Sequence, residues 1–353
     1  MQADLIEEAR RQADICNACR YCEGYCSVFP ALHRERFLND GDITQLANLC
    51  HNCRGCYHAC QYTAPHEFDL NLPKALAEVR RDSWETYAWP APVARRFHTH
   101  GGAIAIASVL GFAILFLVIR MIGEAGGGGF YTVLSHNAMV GIFLPAFLFP
   151  LASIAVSLRR YWTFVGGGRV QVSDVASAIG MVASMKDLAA GHGDGCNFED
   201  EDRFSHARRY AHQAIMSGFL LCFASTATAT LLHYLFNMPA PYPFWSIPKL
   251  LGVPGGIILT LGCVWMASLK LQSERELGDV NAWSGDFGFI TLLGFVALSG
   301  LALYVLGSSI AMPVLLALHL GAVLALFMLT PFTKMAHGFY RLTALIRNAQ
   351  VDG

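Results

Sequence analysis

Charge is scarce in this 353-residue sequence. Asp, Glu, Lys and Arg make up 14% of it against 54% hydrophobic residues, and a formal net charge of −1 leaves no basic excess for nucleic acid. With a mean hydropathy of +0.41, the composition excludes an ordinary soluble domain and indicates a chain that uses lipid as part of its solvent. Neither a strand-borne G-x-G-x-x-G nor a G-x-x-x-x-G-K-[ST] occurs, so no flavin, nicotinamide or nucleoside-triphosphate site is indicated. Gly126–Gly129 and Gly166–Gly168 read as loop glycines without phosphate-binding context. The absence of Cys-x-x-Cys-His gives no support for a covalently attached c-type haem. Met1 is followed by Asp4, Glu7, Glu8, Arg10 and Arg11, with no apolar signal core, so the N-terminal region is expected to stay in a reducing cytosol.

What is present is concentrated. Eight of the 11 cysteines lie between Cys16 and Cys60, leaving Cys196, Cys222 and Cys263 elsewhere. Cys16, Cys19, Cys22 and Cys26 follow the spacing C-x2-C-x2-C-x3-C, and Cys50, Cys53, Cys56 and Cys60 repeat it. Three thiolates two residues apart wrap one face of an iron–sulfur cube, and the fourth commonly serves the other cube of a pair. The spacing therefore predicts two [4Fe–4S] clusters, one on Cys16, Cys19, Cys22 and Cys60 and the other on Cys50, Cys53, Cys56 and Cys26. Two zinc sites are the bland alternative, but zinc favours separated cysteine pairs, and disulfides have no loop to staple here. Ser27 and Gln61 stand where bacterial ferredoxins have proline, and Leu5–Ile15 and Asp42–Leu49 look helical, so an α-helical ferredoxin-like domain is expected over 1–97. Arg20 and Arg54, inside the motifs, read either as charges that favour a reduced cluster or as solvated surface groups.

From Gly101 onward, uncharged runs of membrane-crossing length appear at about 101–122, 137–158, 211–236, 250–269, 287–307 and 313–333. The fold class expected is all-α, with a six-span bundle over 98–340 and a tail at 341–353. The segment 159–209 is rich in Arg and Lys, whereas the opposite side carries only Arg120 and Lys249, which puts both termini and the cysteine domain in the cytoplasm. Trp84, Tyr87 and Trp89, with Arg95 and Arg96, suit the headgroup layer or else pack the small domain. The acidic stretch from Gly191 to His206, including His192, Asp194, Cys196 and Glu199–Asp202, reads as a solvated loop meeting the cluster domain or a partner.

Ionisable groups inside spans are functional candidates. His212 and His233 bracket the third span, and His319 and His337 the sixth. On one continuous helix His319 and His337 would share a face about 27 Å apart. Antiparallel spans then set His212 level with His337 and His233 level with His319, which predicts one or two bis-histidine haem b groups in the bundle. His98, His100, His136 and His206 lie at span ends, where histidine more often serves the interface.

The stretches CNACRYCEGYC, CHNCRGCYHACQYTAPHEFDLNLPKALAEVR and GDGCNFEDEDRFSHARRYAHQ, with the six spans, resemble the tricarballylate utilisation protein B (citrate utilisation B) family over essentially the whole chain. The membrane part also resembles the gamma subunit of respiratory nitrate reductase, whose haem-bearing helix has a spacing like that of His319 and His337. The resemblance implies an electron-transfer subunit of a bacterial cytoplasmic membrane, without a substrate-oxidising site of its own. It would reoxidise the reduced FAD of a tricarballylate dehydrogenase and deliver electrons to membrane quinone. A redox-sensing transporter with histidine relays, or an electron donor to a cobalamin-synthesis enzyme, are the alternatives.

Overall fold

A computed structural model describes residues 2–34, 36–122, 129–189, 193–198 and 203–352. Among them there are 13 α-helices and no strand, apart from an isolated bridge between Cys196 and Ser205. The call on Glu199–Asp202 and His192, and most of that on Gly126–Gly129, lies outside the described residues.

Five helices build the N-terminal domain: α1 (Gln2–Cys19), α2 (Val28–Leu32), α3 (Asp40–Leu49), α4 (Gly55–His58) and α5 (Leu72–Tyr87). Their starts are written locally. Asn39 and Asp42 form a capping box at α3, and Asn71 caps α5 with Pro73 in its first turn, so donors that a helix end leaves orphaned are satisfied. Each helix turns an apolar stripe inward: Ile6, Ala9 and Ala13 of α1, Leu46 and Leu49 of α3, and Leu76 and Val79 of α5 are buried in one core. Full burial of one such leucine is worth roughly 1.5–3 kcal/mol.

The membrane part comprises α6 (Ala91–Ile122), α7 (His136–Phe164), α9 (Ala207–Phe236), α10 (Ile247–Gln272), α11 (Trp283–Leu306) and α12 (Met312–Leu329), with α8 (Val172–Ser184) between α7 and α9. Six helical segments are long and apolar enough to cross a membrane. The uncharged run 287–333 is divided at Gly307, where α11 gives way to α12. Small residues let backbones meet: a Cβ on Gly101 of α6 would stand 2.6 Å from the Cα of Gly285 on α11, and one on Gly218 of α9 2.6 Å from the nitrogen of Leu259 on α10. Where lipid is as apolar as leucine, such close approach supplies the packing energy.

Two expectations are corrected. His319 and His337 do not share one helix: α12 ends at Leu329, a 3-10 turn covers Thr330–Phe332, Thr333 is extended, and α13 (Ala336–Asp352) starts anew. Pro331 lacks the N–H that helix continuation needs. Trp84 and Tyr87 are buried in the core of the N-terminal domain rather than in an exposed belt, with the Trp84 indole donating to Asn48 Oδ1 at 2.9 Å, while Trp89 is exposed. The segment expected as a tail, 341–353, is described as far as Asp352 as part of α13. Ala344 and Leu345 of α13 lie in the same core as α1, α3 and α5, and Gln45 of α3 donates to the Ala344 carbonyl at 2.7 Å.

Candidate functional site

The cysteines stand in two sets. A cavity of about 230 Å³ at the end of α1 is lined by Cys16, Cys19, Cys22 and Cys60, with Cys56 and the exposed Tyr21 at its edge. A second, of about 20 Å³, is lined by Cys26, Cys50, Cys53 and Cys56. Each run's fourth cysteine thus stands with the other run. The turns that aim the thiols carry strain, because Arg20 and Arg54, each following the second cysteine of its run, adopt positive φ of 59° and 66°. A left-handed conformation costs a non-glycine residue about 1–2 kcal/mol, and such outliers cluster at functional sites.

Burial, and then the neighbouring Cys60, Cys22 and Cys19, push the Cys16 thiol up to about 12, and burial with Cys60 and Cys19 does the same to Cys22. Cys26, Cys50 and Cys56 are raised by burial first as well. Crowded, buried thiols that resist ionising separately are the donor set that a multivalent metal centre deprotonates. Their chemistry fits iron–sulfur ligation, although as positioned no three His, Cys, Asp or Glu side chains among the described residues converge on a single ion.

The second set is covered from the membrane side of the sequence. The Asn197 backbone amide donates to the Cys53 carbonyl at 2.9 Å, and Cys196, 1% exposed, donates its thiol to the Leu188 carbonyl at 3.4 Å. The neighbouring Cys196 and burial hold the Cys53 thiol well up, while Cys53 and the positive charge of Arg208 bring Cys196 down. The loop expected to be solvated is therefore anchored at Cys196–Phe198; a Gly195 φ of +101° permits its turn against Ser205. Arg54 is buried rather than at the surface: it donates to the carbonyls of Glu274 at 2.6 Å and Phe198 at 3.3 Å, and burial, then Arg208, brings it down to about 10. Arg20 is exposed.

Below this set lie two imidazoles. His212 of α9 and His337 of α13 have ring centroids 5.8 Å apart and planes at 86°. The His337 Nδ1 bonds the Lys334 carbonyl, which fixes the ring and leaves Nε2 free, and the His212 Nδ1 is buried without a partner. His51, next to Cys50, bonds Arg341; burial, then Arg341, Arg208, Arg80 and His212, hold it well below the usual histidine range, hence neutral. His51 therefore lines the cavity of the second thiol set and is also near enough to His212 to feel its charge. Such a pair fits axial ligation of a haem iron.

The outer histidines are arranged otherwise. His233 stacks on His136 of α7 at 4.5 Å, and the His136 Nε2 meets the Tyr234 hydroxyl at 3.0 Å. His319 turns toward α11, where its Nδ1 is 2.9 Å from the Ser299 hydroxyl and a Cβ on Gly300 would meet its ring at 3.1 Å. The structure does not bring His233 and His319 together, so these residues do not fit a second bis-histidine haem. His98 bonds Glu85 at 3.0 Å, His100 bonds Thr99 at 2.8 Å, and His206 precedes α9 as its N-cap. Cysteine and histidine spacing alone missed His51, Cys196, Arg208 and Arg341. Arg208 and Arg341 each stand four residues from an intramembrane histidine, a signal that helical spacing makes readable.

Comparison with known proteins agrees with this two-part plan. Residues 9–86 match the Citrate utilization protein B Fer4-like domain, and residues 99–352 match Citrate utilization protein B. The chain is 41% identical over 347 residues to Citrate utilization protein B of Escherichia coli, covering 96% of this chain and 91% of that protein. No solved structure matches it. An all-helical chain with a Fer4-like N-terminal domain and six apolar helices, it belongs to the citrate utilization protein B family.

Proposed function

We propose that this chain carries electrons from the reduced FAD of a partner dehydrogenase, acting on tricarballylate or a related tricarboxylate, to a quinone in the cytoplasmic membrane. The observation that carries the reading is the continuity of one path: an open thiol-lined cavity, a buried second thiol set, His51, and the His212–His337 pair within 5.8 Å of each other. The family name adds the link to citrate-class substrates.

Cys16, Cys19, Cys22 and Cys60 would hold one [4Fe–4S] cluster, Cys50, Cys53, Cys56 and Cys26 another, and His212 with His337 a haem b. These groups supply one-electron carriers, so that a two-electron donor can be emptied in single steps. The protein's residues do the rest. The exposed Cys19 and Tyr21 give a flavoprotein access to the first cavity, while Cys196–Phe198, α9 and α13 exclude water from the second. His337 is oriented through the bond of its Nδ1 to the Lys334 carbonyl, with its ring edge-on to that of His212.

The test is iron, acid-labile sulfide and haem content of anaerobically purified protein, with an optical spectrum before and after dithionite. Reducible b-type bands, reoxidised by a soluble quinone and lost in His337→Ala, are expected. Zinc in place of iron, with no porphyrin, would overturn the reading and favour a relay or transport role for the membrane histidines.

A further inference from the structure

Two arginines join the cluster domain to the imidazole helices in parallel ways. Arg208 precedes His212 by four residues on α9, and Arg341 follows His337 by four on α13, so each lies one helical turn from its imidazole. Arg208 donates to the Asn52 carbonyl at 2.8 Å and stacks on the Phe198 ring at 4.3 Å. Arg341 donates to the carbonyls of Leu49 at 2.6 Å and Cys50 at 3.3 Å, and bonds His51. Both reach the same short loop, which carries Cys50 and Cys53. Arg80 of α5 also donates to the Cys50 carbonyl, at 2.6 Å, but from the N-terminal domain itself.

We propose that Arg208 and Arg341 are a paired clamp that holds the second thiol set at a fixed height over the His212–His337 pair and makes whatever it ligates easier to reduce than the first set's centre. The proposal rests on the electron-carrier reading above. Its two halves have separate physical causes. Guanidinium bonds to backbone carbonyls, forked in Arg341 and single in Arg208, fix position, because each arginine stands one turn from the imidazole on its own helix. Positive charge held beside a cluster whose reduced form is more negative favours that form. Asp187 lies near Arg341 and offsets part of its charge, whereas Arg80 adds to it. Among the described residues the first set shows no equivalent: Arg20 is exposed and donates to the Asn17 carbonyl of its own helix at 3.3 Å. The resulting difference directs electrons from the solvent-facing set inward. Arg208 and Arg341 act through the loop and are positioning residues.

The experiment is a redox titration of the full chain in detergent, followed by electron paramagnetic resonance for the clusters and by the optical band for haem. Arg208→Gln and Arg341→Gln are each expected to make one cluster signal about tenfold harder to reduce, which is ~59 mV for a one-electron couple, and to leave the other unchanged. Arg341→Lys, which keeps the charge, is expected to hold the potential near that of the wild type. Arg347→Gln, also on α13 but bonded to the Val165 carbonyl, is expected to shift neither. Should Arg341→Gln fail to accumulate, Arg208→Gln and Arg341→Lys carry the comparison. Equal shifts in both clusters, wild-type potentials in both Gln variants, or a shift confined to the haem would overturn the clamp. Wild-type protein without iron or porphyrin would instead overturn the carrier reading beneath it.

Discussion

Asp286, in the first turn of α11, is the counter-ion of two lysines. Its Oδ2 lies 2.9 Å from Nζ of Lys270 at the end of α10 and 2.9 Å from Nζ of Lys334 after α12, and the three side chains are 15%, 15% and 31% exposed. Asp286→Asn leaves both ammonium groups mostly out of water with no opposing charge. Removing one partner of a buried pair costs about 3–5 kcal/mol, and the partial exposure of Lys334 argues for the lower half of that range. At ~2.1 cal/mol/K per residue, a chain of this length would lose roughly 4–5 °C of Tm. The assay is thermal unfolding in detergent at one fixed scan rate, since membrane proteins of this size unfold irreversibly and Tm then depends on rate. The loss should come from stranded charge rather than from lost contact. Asp286→Asn combined with Lys270→Met and Lys334→Met is therefore expected to recover most of it. A single variant as stable as the wild type, or a triple variant no better than the single, would refute the reasoning.

Other perturbations separate packing from chemistry. Gly101→Val, whose Cβ would meet Gly285 at 2.6 Å, is expected to cost about 1–3 kcal/mol and lower Tm, whereas Gly102→Ala, with nothing within 4 Å of its Cβ, should be neutral in the same melt. Glu85 is buried; although burial raises its pKa, bonds from His98 and Arg81 outweigh that and hold it below the ordinary 4.5. A carboxyl depressed by folding stabilises above its unfolded pKa, so this contribution is present at neutral pH and disappears as pH falls from 4.5 through the folded value. Glu85→Gln should flatten that acid limb, and an unchanged acid midpoint would show the bonds to be inert. Cys196→Ser should leave iron per chain unaltered while Cys53→Ser removes one cluster's resonance; equal iron loss in both would make Cys196 a ligand.

Much of the fold was legible because the chain changes solvent partway along. Runs without charge need no tertiary information to be read as membrane-length helices, and Gly307 divides the longest of them. The duplicated cysteine spacing was equally local. What the sequence hid depends on contacts between distant segments. Spacing alone treated His319 and His337 as one face of one helix, and Pro331, which breaks it, was the overlooked signal. The pairing of His233 with His136 rather than His319 is decided by which helix the C-terminal end of α9 faces, a fact no periodicity encodes. Trp84 and Tyr87 have the amphipathic character of interface residues, yet the core of α3, α5 and α13 claims them. Cys196 sits in an acidic context whose average polarity masked the burial of Cys196–Phe198.

The bonds from Arg341 to the Cys50 loop span 291 residues of chain. During synthesis the eight motif cysteines leave the ribosome with the first domain, but α13, which closes over the second set, follows only after all six long apolar helices. Until α13 is made, that loop lacks the arginine that holds it. Closure of the second cysteine set is therefore coupled to synthesis of α13, and a truncation that removes α13 but spares every cysteine and every apolar helix leaves that set without Arg341.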